Sequence, residues 1–88
     1  MGSTTPEFAA ELERIKQIAP LGARYFHYKN PNQFYIIVSH GIIEATEEPA
    51  ISYQAEYGDK LVWIRPFSVF LEEVEWENKK VPRFTRIN

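Results

Sequence analysis

The 88-residue sequence contains no cysteine, only four glycines and only two histidines. Without cysteine the chain has neither a disulfide nor a thiolate metal ligand, which suits a reducing cytoplasm, where we expect the protein to act. The glycines are scattered singly, so no glycine-rich phosphate-binding loop is present. Neither histidine is followed by a second one at metal-ligand spacing on a helix, and we therefore expect no metal and no cofactor.

Long apolar runs and an excess of basic residues are also missing. No stretch approaches the ~20 apolar residues of a transmembrane helix, and the start lacks a signal-peptide pattern, so we expect no membrane association. The formal net charge of −2 argues against a general polyanion-binding protein. We interpret residues 1–5 as a disordered start or a cloning remnant.

An amphipathic helix is predicted over residues 6–19, with Pro6 at the first helical position. Apolar side chains recur at helical spacing at Phe8, Leu12, Ile15 and Ala19. Such a stripe covers either the domain's own core or a second chain. One alternative for function is therefore a structural or regulatory interaction module that recruits a partner, or a second copy of itself, through Phe8, Leu12 and Ile15.

The rest of the chain reads as short strands separated by turns. Strands are predicted at 24–29, 33–40, 50–57, 61–65 and 82–87, with a short helical turn near 67–72. A hairpin is predicted at 75–81, where Asn78 tolerates a positive φ. It would bring the acidic residues of 72–77 beside the basic residues of 79–86. Five to six short strands with this spacing predict a mostly β fold, a small SH3-like barrel over residues 22–87.

Polar and aromatic residues alternate on these strands in a pattern that suits ligand binding. Tryptophan and tyrosine offer π-faces with a polar group, and arginine offers a planar fork for phosphate or carboxylate. The candidate ligand-binding residues are His27, Lys29, Tyr53, Gln54, Trp63 and Arg65. We predict a pocket for an anionic or planar ligand, with a nucleotide or single-stranded nucleic acid favoured. The competing interpretation places Trp63 in the core and pairs Arg65 with Glu72, Glu73 or Glu75.

Residues arranged for catalysis are scarce, and we predict a non-catalytic module. Ser39 and His40 are adjacent, but neighbouring residues of a strand point to opposite faces, which prevents a nucleophile–base hydrogen bond. The one enzymatic alternative is a small hydrolase that uses Glu72 or Asp59 with His27.

Four separated blocks carry a family resemblance: "YFHYKN" (25–30), "YQAEYGD" (53–59), "VWIRPFSVFLEEVE" (62–75) and "KKVPRF" (79–84). Together they resemble a small bacterial family, domain of unknown function 1653, over residues 22–87. The resemblance implies a compact, mostly β domain and no established activity. The sequence departs from the family pattern at residues 43–46, where His-Ser-Glu-Thr is usual, and at Glu56, where leucine is common. The predicted helix lies outside the matching region.

Overall fold

A computed structural model of the chain describes residues 6–88, so the predicted disordered start at 1–5 lies outside the described residues. The protein is mostly β, with an N-terminal helix and a short helical turn, as predicted. Neither helix in the described range is long and apolar enough to cross a membrane. The elements follow in the order α1 (Pro6–Ile18), β1 (Arg24–His27), β2 (Asn30–Ile43), β3 (Glu48–Ala55), β4 (Val62–Pro66), α2 (Phe67–Phe70), β5 (Glu73–Trp76), β6 (Lys79–Pro82) and β7 (Phe84–Arg86).

The strands form two antiparallel sheets rather than one closed barrel. Five of them pair in the order β4-β3-β2-β1-β7, and β5 pairs with β6 as a separate hairpin. The last strand, β7, returns to pair with the first, as in the pair Phe26↔Thr85. Because β4 and β7 stand at opposite edges, the sheet stays open, and the predicted closure into an SH3-like barrel does not occur.

Helix α1 packs on the face of the five-stranded sheet that carries the core, here called the inner face. In a closed barrel this face would be covered by further strands. Ile15 of α1 and Ala19, just after the helix, are completely buried and belong to one core cluster with Ile51 and Tyr53 of β3. Leu12 is partly buried against the same cluster. The apolar stripe of the helix therefore packs on the domain's own core, and Ile15 is not exposed for a partner, whereas recruitment of a partner through this helix stays a prediction.

Aromatic side chains build the remainder of the core. Phe70 of α2 stacks on Phe84 of β7 with ring centroids 4.4 Å apart, and Tyr25 of β1 meets Phe70 edge-on at 5.0 Å. Phe67 is buried beside them. Phe84 thus packs against α2 as well as against β1.

The first hairpin turns earlier than the Asn-Pro-Asn sequence at 30–32 predicts. Asn30 already pairs with His27, so only two residues form the turn, and β2 runs on through Gly41 to its end. A bulge at Val38 lies between the pairs Ile37↔Tyr53 and Ser39↔Ser52. It inserts one residue and so changes which side chains of β2 face the core.

The predicted hairpin near the C-terminus is confirmed. Glu77 and Asn78 form its turn with φ angles of 54° and 66°. The register places Glu75 opposite Lys80, and Arg83 reaches Glu72 at 2.7 Å. The acidic and basic segments therefore lie side by side, as expected.

Candidate functional site

A cavity of about 210 Å³ opens on the inner face of the sheet, between the two edge strands. Its walls come from β1 and the turn after it, β2, β3, β4 and β7. The ring of Tyr53 on β3 lies 5.2 Å from that of Phe84 on β7, across the interior. The cavity therefore lies where closure of the barrel would have joined the two edge strands, β4 and β7. The lining residues are His27, Lys29, Asn30, Tyr35, Tyr53, Trp63, Arg65 and Phe84.

Five of the six predicted ligand-binding residues line this cavity, and their role in binding stays a prediction. Gln54 is the exception, because it points to the other face of β3, where its side chain donates a hydrogen bond to the Lys60 carbonyl at 3.0 Å. Trp63 is 49% exposed, so its alternative assignment to the core is wrong. It faces the same side as the core, but β4 is an edge strand and no further strand covers the ring there.

Arg65 is held by the core and not by an acid. Its Nε donates a hydrogen bond to the Tyr53 hydroxyl at 2.9 Å, and its guanidinium carbon lies 5.8 Å from the centre of the Phe84 ring. Among the side chains that the structure describes, no carboxylate forms a salt bridge with Arg65. The predicted pairing with a glutamate is therefore wrong, since Glu72 binds Arg83 instead. Among the described residues, the bond from Nε is the one hydrogen bond of the Arg65 side chain.

His27 is a neutral hydrogen-bond donor near pH 7. Its Nδ1 accepts the backbone N–H of Lys29 at 3.2 Å, which places the ring proton on Nε2. Burial lowers the pKa of His27 below the ordinary 6.5, and the neighbouring charges of Arg65, Arg83 and Lys29 lower it further. An anion in the cavity would offset those charges and raise the pKa again.

Aromatic rings form the floor of the cavity. Two of them, Tyr35 and Phe84, are not among the predicted ligand-binding residues. Tyr35 packs edge-on against Tyr53 at 5.4 Å, and its hydroxyl is hydrogen-bonded to that of Tyr57. Burial and this bond raise the pKa of Tyr35 far above its usual range. The phenol therefore stays protonated at physiological pH. Two signals in the sequence included Phe84: the predicted strand at 82–87 and the block "KKVPRF" of the family resemblance.

Trp63 also borders a second cavity of about 180 Å³ beside the turn that joins β3 to β4. Tyr57 and Asp59 line this second cavity. The half-exposed indole thus lies between the cavity lined by Lys29 and Arg65 and a second cavity lined by both Asp59 and Lys60. A planar group stacked on Trp63 would lie between the two.

The residues considered for catalysis do not converge on His27. Asp59 lines the other cavity, and Glu72 is paired with Arg83. Ser39 bonds Ser52 on the outer face of the sheet, whereas His40 bonds the Ala19 carbonyl at the end of α1, at 2.6 Å. Among the side chains described from Phe8 onward, no three of His, Cys, Asp or Glu lie close enough together to hold a metal ion.

Searches of curated proteins and of solved structures give no match to the chain. The family model described as "Protein of unknown function (DUF1653)" matches residues 23–86, which includes every residue that lines the cationic cavity. Helix α1 precedes the matched range. With almost three quarters of its length matched in one continuous segment, the chain belongs to the DUF1653 family.

Proposed function

We propose that this domain is a non-catalytic binding module that holds a small anionic group in the cavity beside Trp63. The observation that supports the proposal is the lining itself: His27, Lys29 and Arg65 converge there, and no carboxylate lines the cavity with them. A cation that lacks an acidic partner is costly to desolvate, so the two cations Lys29 and Arg65, beside the neutral N–H donor His27, favour an anion from outside the chain.

The volume limits what can enter. At roughly 30 Å³ per water molecule in the liquid, the cavity of about 210 Å³ has the volume of several waters. One phosphate or carboxylate group fits, and a run of nucleotides does not. We therefore favour a mononucleotide, or one nucleotide of a single strand, over extended nucleic acid.

The cavity lining offers separate binding groups for the phosphate and for the base of a nucleotide. The guanidinium of Arg65, the ammonium of Lys29 and the Nε2–H of His27 suit phosphate oxygens. The exposed ring of Trp63 at the mouth offers a surface on which a base can stack, an interaction worth about 1–3 kcal/mol. Inorganic phosphate and a nucleoside therefore represent the two halves of the ligand.

A non-catalytic role agrees with the side chains present. The cavity lining includes no serine, threonine, aspartate or glutamate, His27 has a lowered pKa, and Tyr35 stays protonated. A hydrolase that uses Asp59 or Glu72 with His27 receives no support from their positions. We also propose the cytoplasm as the location, because the chain lacks cysteine.

Backbone-amide NMR titrations of the full chain test the proposal with three probes: adenosine monophosphate, adenosine and inorganic phosphate. We expect the nucleotide to shift residues 27–30, 63–65 and 84, phosphate to shift mainly 27–30 and 65, and adenosine mainly 63. Added salt should weaken the phosphate response more than the adenosine response. Shifts confined to other surfaces, or none with any probe, would contradict the proposal.

A further inference from the structure

The edge strand β4 is apolar on both faces. Within the described chain only β3 pairs with it. Leu61 and the first three residues of β4 are large and hydrophobic, and they are 49–72% exposed. Soluble proteins usually protect such an edge with charges, prolines or a covering segment. Here the protections within the strand stand at its end, where Arg65 is turned inward to Tyr53 and Pro66 follows it.

The backbone of β4 also has hydrogen-bonding groups that face away from the sheet. The Ala55 N–H donates to the Leu61 carbonyl at 2.9 Å, so Leu61 and alternate residues after it direct their backbone groups toward β3. Val62 and Ile64 then direct theirs outward. Unpaired backbone groups between exposed apolar side chains can template another strand.

We propose that a second copy of this chain pairs antiparallel with β4, about a twofold axis at Ile64. In this register Ile64 of each copy exchanges both backbone hydrogen bonds with its counterpart, and each Val62 N–H donates to the Pro66 carbonyl of the other copy. The ring nitrogen of Pro66 has no hydrogen to return a bond, which limits the pairing at that end.

The side chains are self-complementary in the same register. On the inner face, Trp63 of each copy lies directly opposite Arg65 of the other, in the closely spaced type of antiparallel pair. A guanidinium stacks on an indole through its face. On the outer face, Ile64 meets Ile64. Arg65 is the one charged residue of β4, and it faces a ring in the second copy rather than another cation.

A second copy of the chain is the partner we favour for the edge of β4, because the strand is complementary to itself in this register. A twofold interface uses one patch on both partners, and such dimers are the commonest oligomers. A strand of five residues covers less than the ~800 Å² per partner of a standard interface. The dimer is therefore expected to form in a concentration-dependent way. The pairing itself requires no ligand, because its hydrogen bonds join backbone groups of the two copies.

Sedimentation equilibrium of the full chain over a concentration series tests the proposal. The wild-type mass should rise from 10.3 kDa toward twice that value. Ile64→Lys, which places two like charges at the axis, should stay monomeric. Leu21→Lys is the matched control, because Leu21 is an equally large hydrophobic residue, 63% exposed, in the loop after α1; it should associate like the wild type. A wild type that stays monomeric into the millimolar range would overturn the proposal, as would an Ile64→Lys variant that still associates.

Amide hydrogen exchange of the wild type supplies a test that needs no variant. The Val62 and Ile64 amides face solvent in the monomer, so their protection should increase with protein concentration. If the mass rises while these two amides keep the same exchange rates, the copies associate through another surface and the proposal is wrong.

Discussion

The Tyr53 hydroxyl accepts a hydrogen bond from Nε of Arg65 at 2.9 Å and so ties a cation at the cavity to the core. Tyr53 is 98% buried and packs against Phe70 and Phe84, so its hydroxyl has a fixed position. An arginine fixed in this way loses less conformational entropy when it binds a ligand. The hydrogen bond also leaves the terminal nitrogens of Arg65 uncommitted.

Tyr53→Phe should therefore weaken anion binding without altering the fold. Loss of one hydrogen bond lowers the free energy of unfolding by about 1 kcal/mol. Since a factor of ten in affinity corresponds to 1.4 kcal/mol, a looser Arg65 should weaken phosphate binding by roughly threefold to tenfold. Urea denaturation and an NMR titration with phosphate measure the two effects separately.

Tyr25→Phe is the matched control for Tyr53→Phe. The Tyr25 hydroxyl is also tied to the core, but it donates to the Ile18 carbonyl at 2.9 Å and does not line the cavity. It should lose a similar free energy of unfolding and keep its affinity for phosphate. Equal affinities for both variants would show that Tyr53 does not position Arg65.

His27 should titrate below pH 6.5, because burial and the charges of Arg65, Arg83 and Lys29 lower its pKa in the folded protein. Between that pKa and 6.5 the unfolded chain binds more protons than the folded one. The free energy of unfolding should therefore fall as the pH is lowered through this window, whereas above pH 6.5 the contribution of His27 is fully present. NMR titration of the ring protons and denaturation at several pH values measure both quantities.

Variants of one neighbouring and one more distant arginine separate the causes of this shift. Arg65→Gln removes one of the charges beside His27, so the pKa should move back toward 6.5, while burial keeps it below that value. Arg86→Gln makes the same chemical change outside the cavity and should leave the His27 pKa unchanged. A wild-type pKa at or above 6.5 would contradict the described environment of His27.

Helix α1 should act as part of the core. Ile15 is completely buried, so Ile15→Val should lower the free energy of unfolding by about 0.5–1.5 kcal/mol. Gln17→Ala, on the exposed side of the same helix, should change it by less than about 0.5 kcal/mol. Neither should change the mass in solution. If Ile15→Val instead abolished association and left stability unchanged, the helix would be the partner surface.

The sequence correctly predicted the secondary-structure elements that are determined by residues close together in the chain. The helix followed from its apolar spacing and Pro6, and the β5–β6 hairpin from Asn78, whose φ is 66°. The first turn was placed two residues late, because Asn30 and Pro31 favour a turn but Asn30 already pairs with His27. Turn-forming residues can begin a strand when long-range pairing decides the register.

The long-range arrangement could not be predicted from these patterns. Alternation along a strand does not say which strand lies beside it, so the pairing of β7 with β1 had no local signal. The open sheet follows from that pairing and from the helix that covers its inner face. The same uncertainty affected Trp63, whose side of the strand was compatible with the core. Its exposure depends on β4 being an edge strand.

The residue types of the candidate site were predicted from the sequence, but part of their spatial arrangement was not. Aromatic and cationic residues on separate strands do meet at one cavity, but Gln54 binds the Lys60 carbonyl on the other face of β3. Phe84, which lies under Arg65, was absent from the prediction because β7 reaches the site only through its pairing with β1.

The affinity of Arg65→Gln for adenosine monophosphate, measured by calorimetry beside the wild type and Arg86→Gln, tests the proposed site most directly. Hydrogen bonds to charged groups contribute about 1.5–3 kcal/mol, which corresponds to roughly tenfold to hundredfold in affinity. We predict a loss of that size for Arg65→Gln and an unchanged affinity for Arg86→Gln, which has the same net charge. Equal binding by all three proteins, or no binding by the wild type, would contradict an anion site in the cavity beside Trp63.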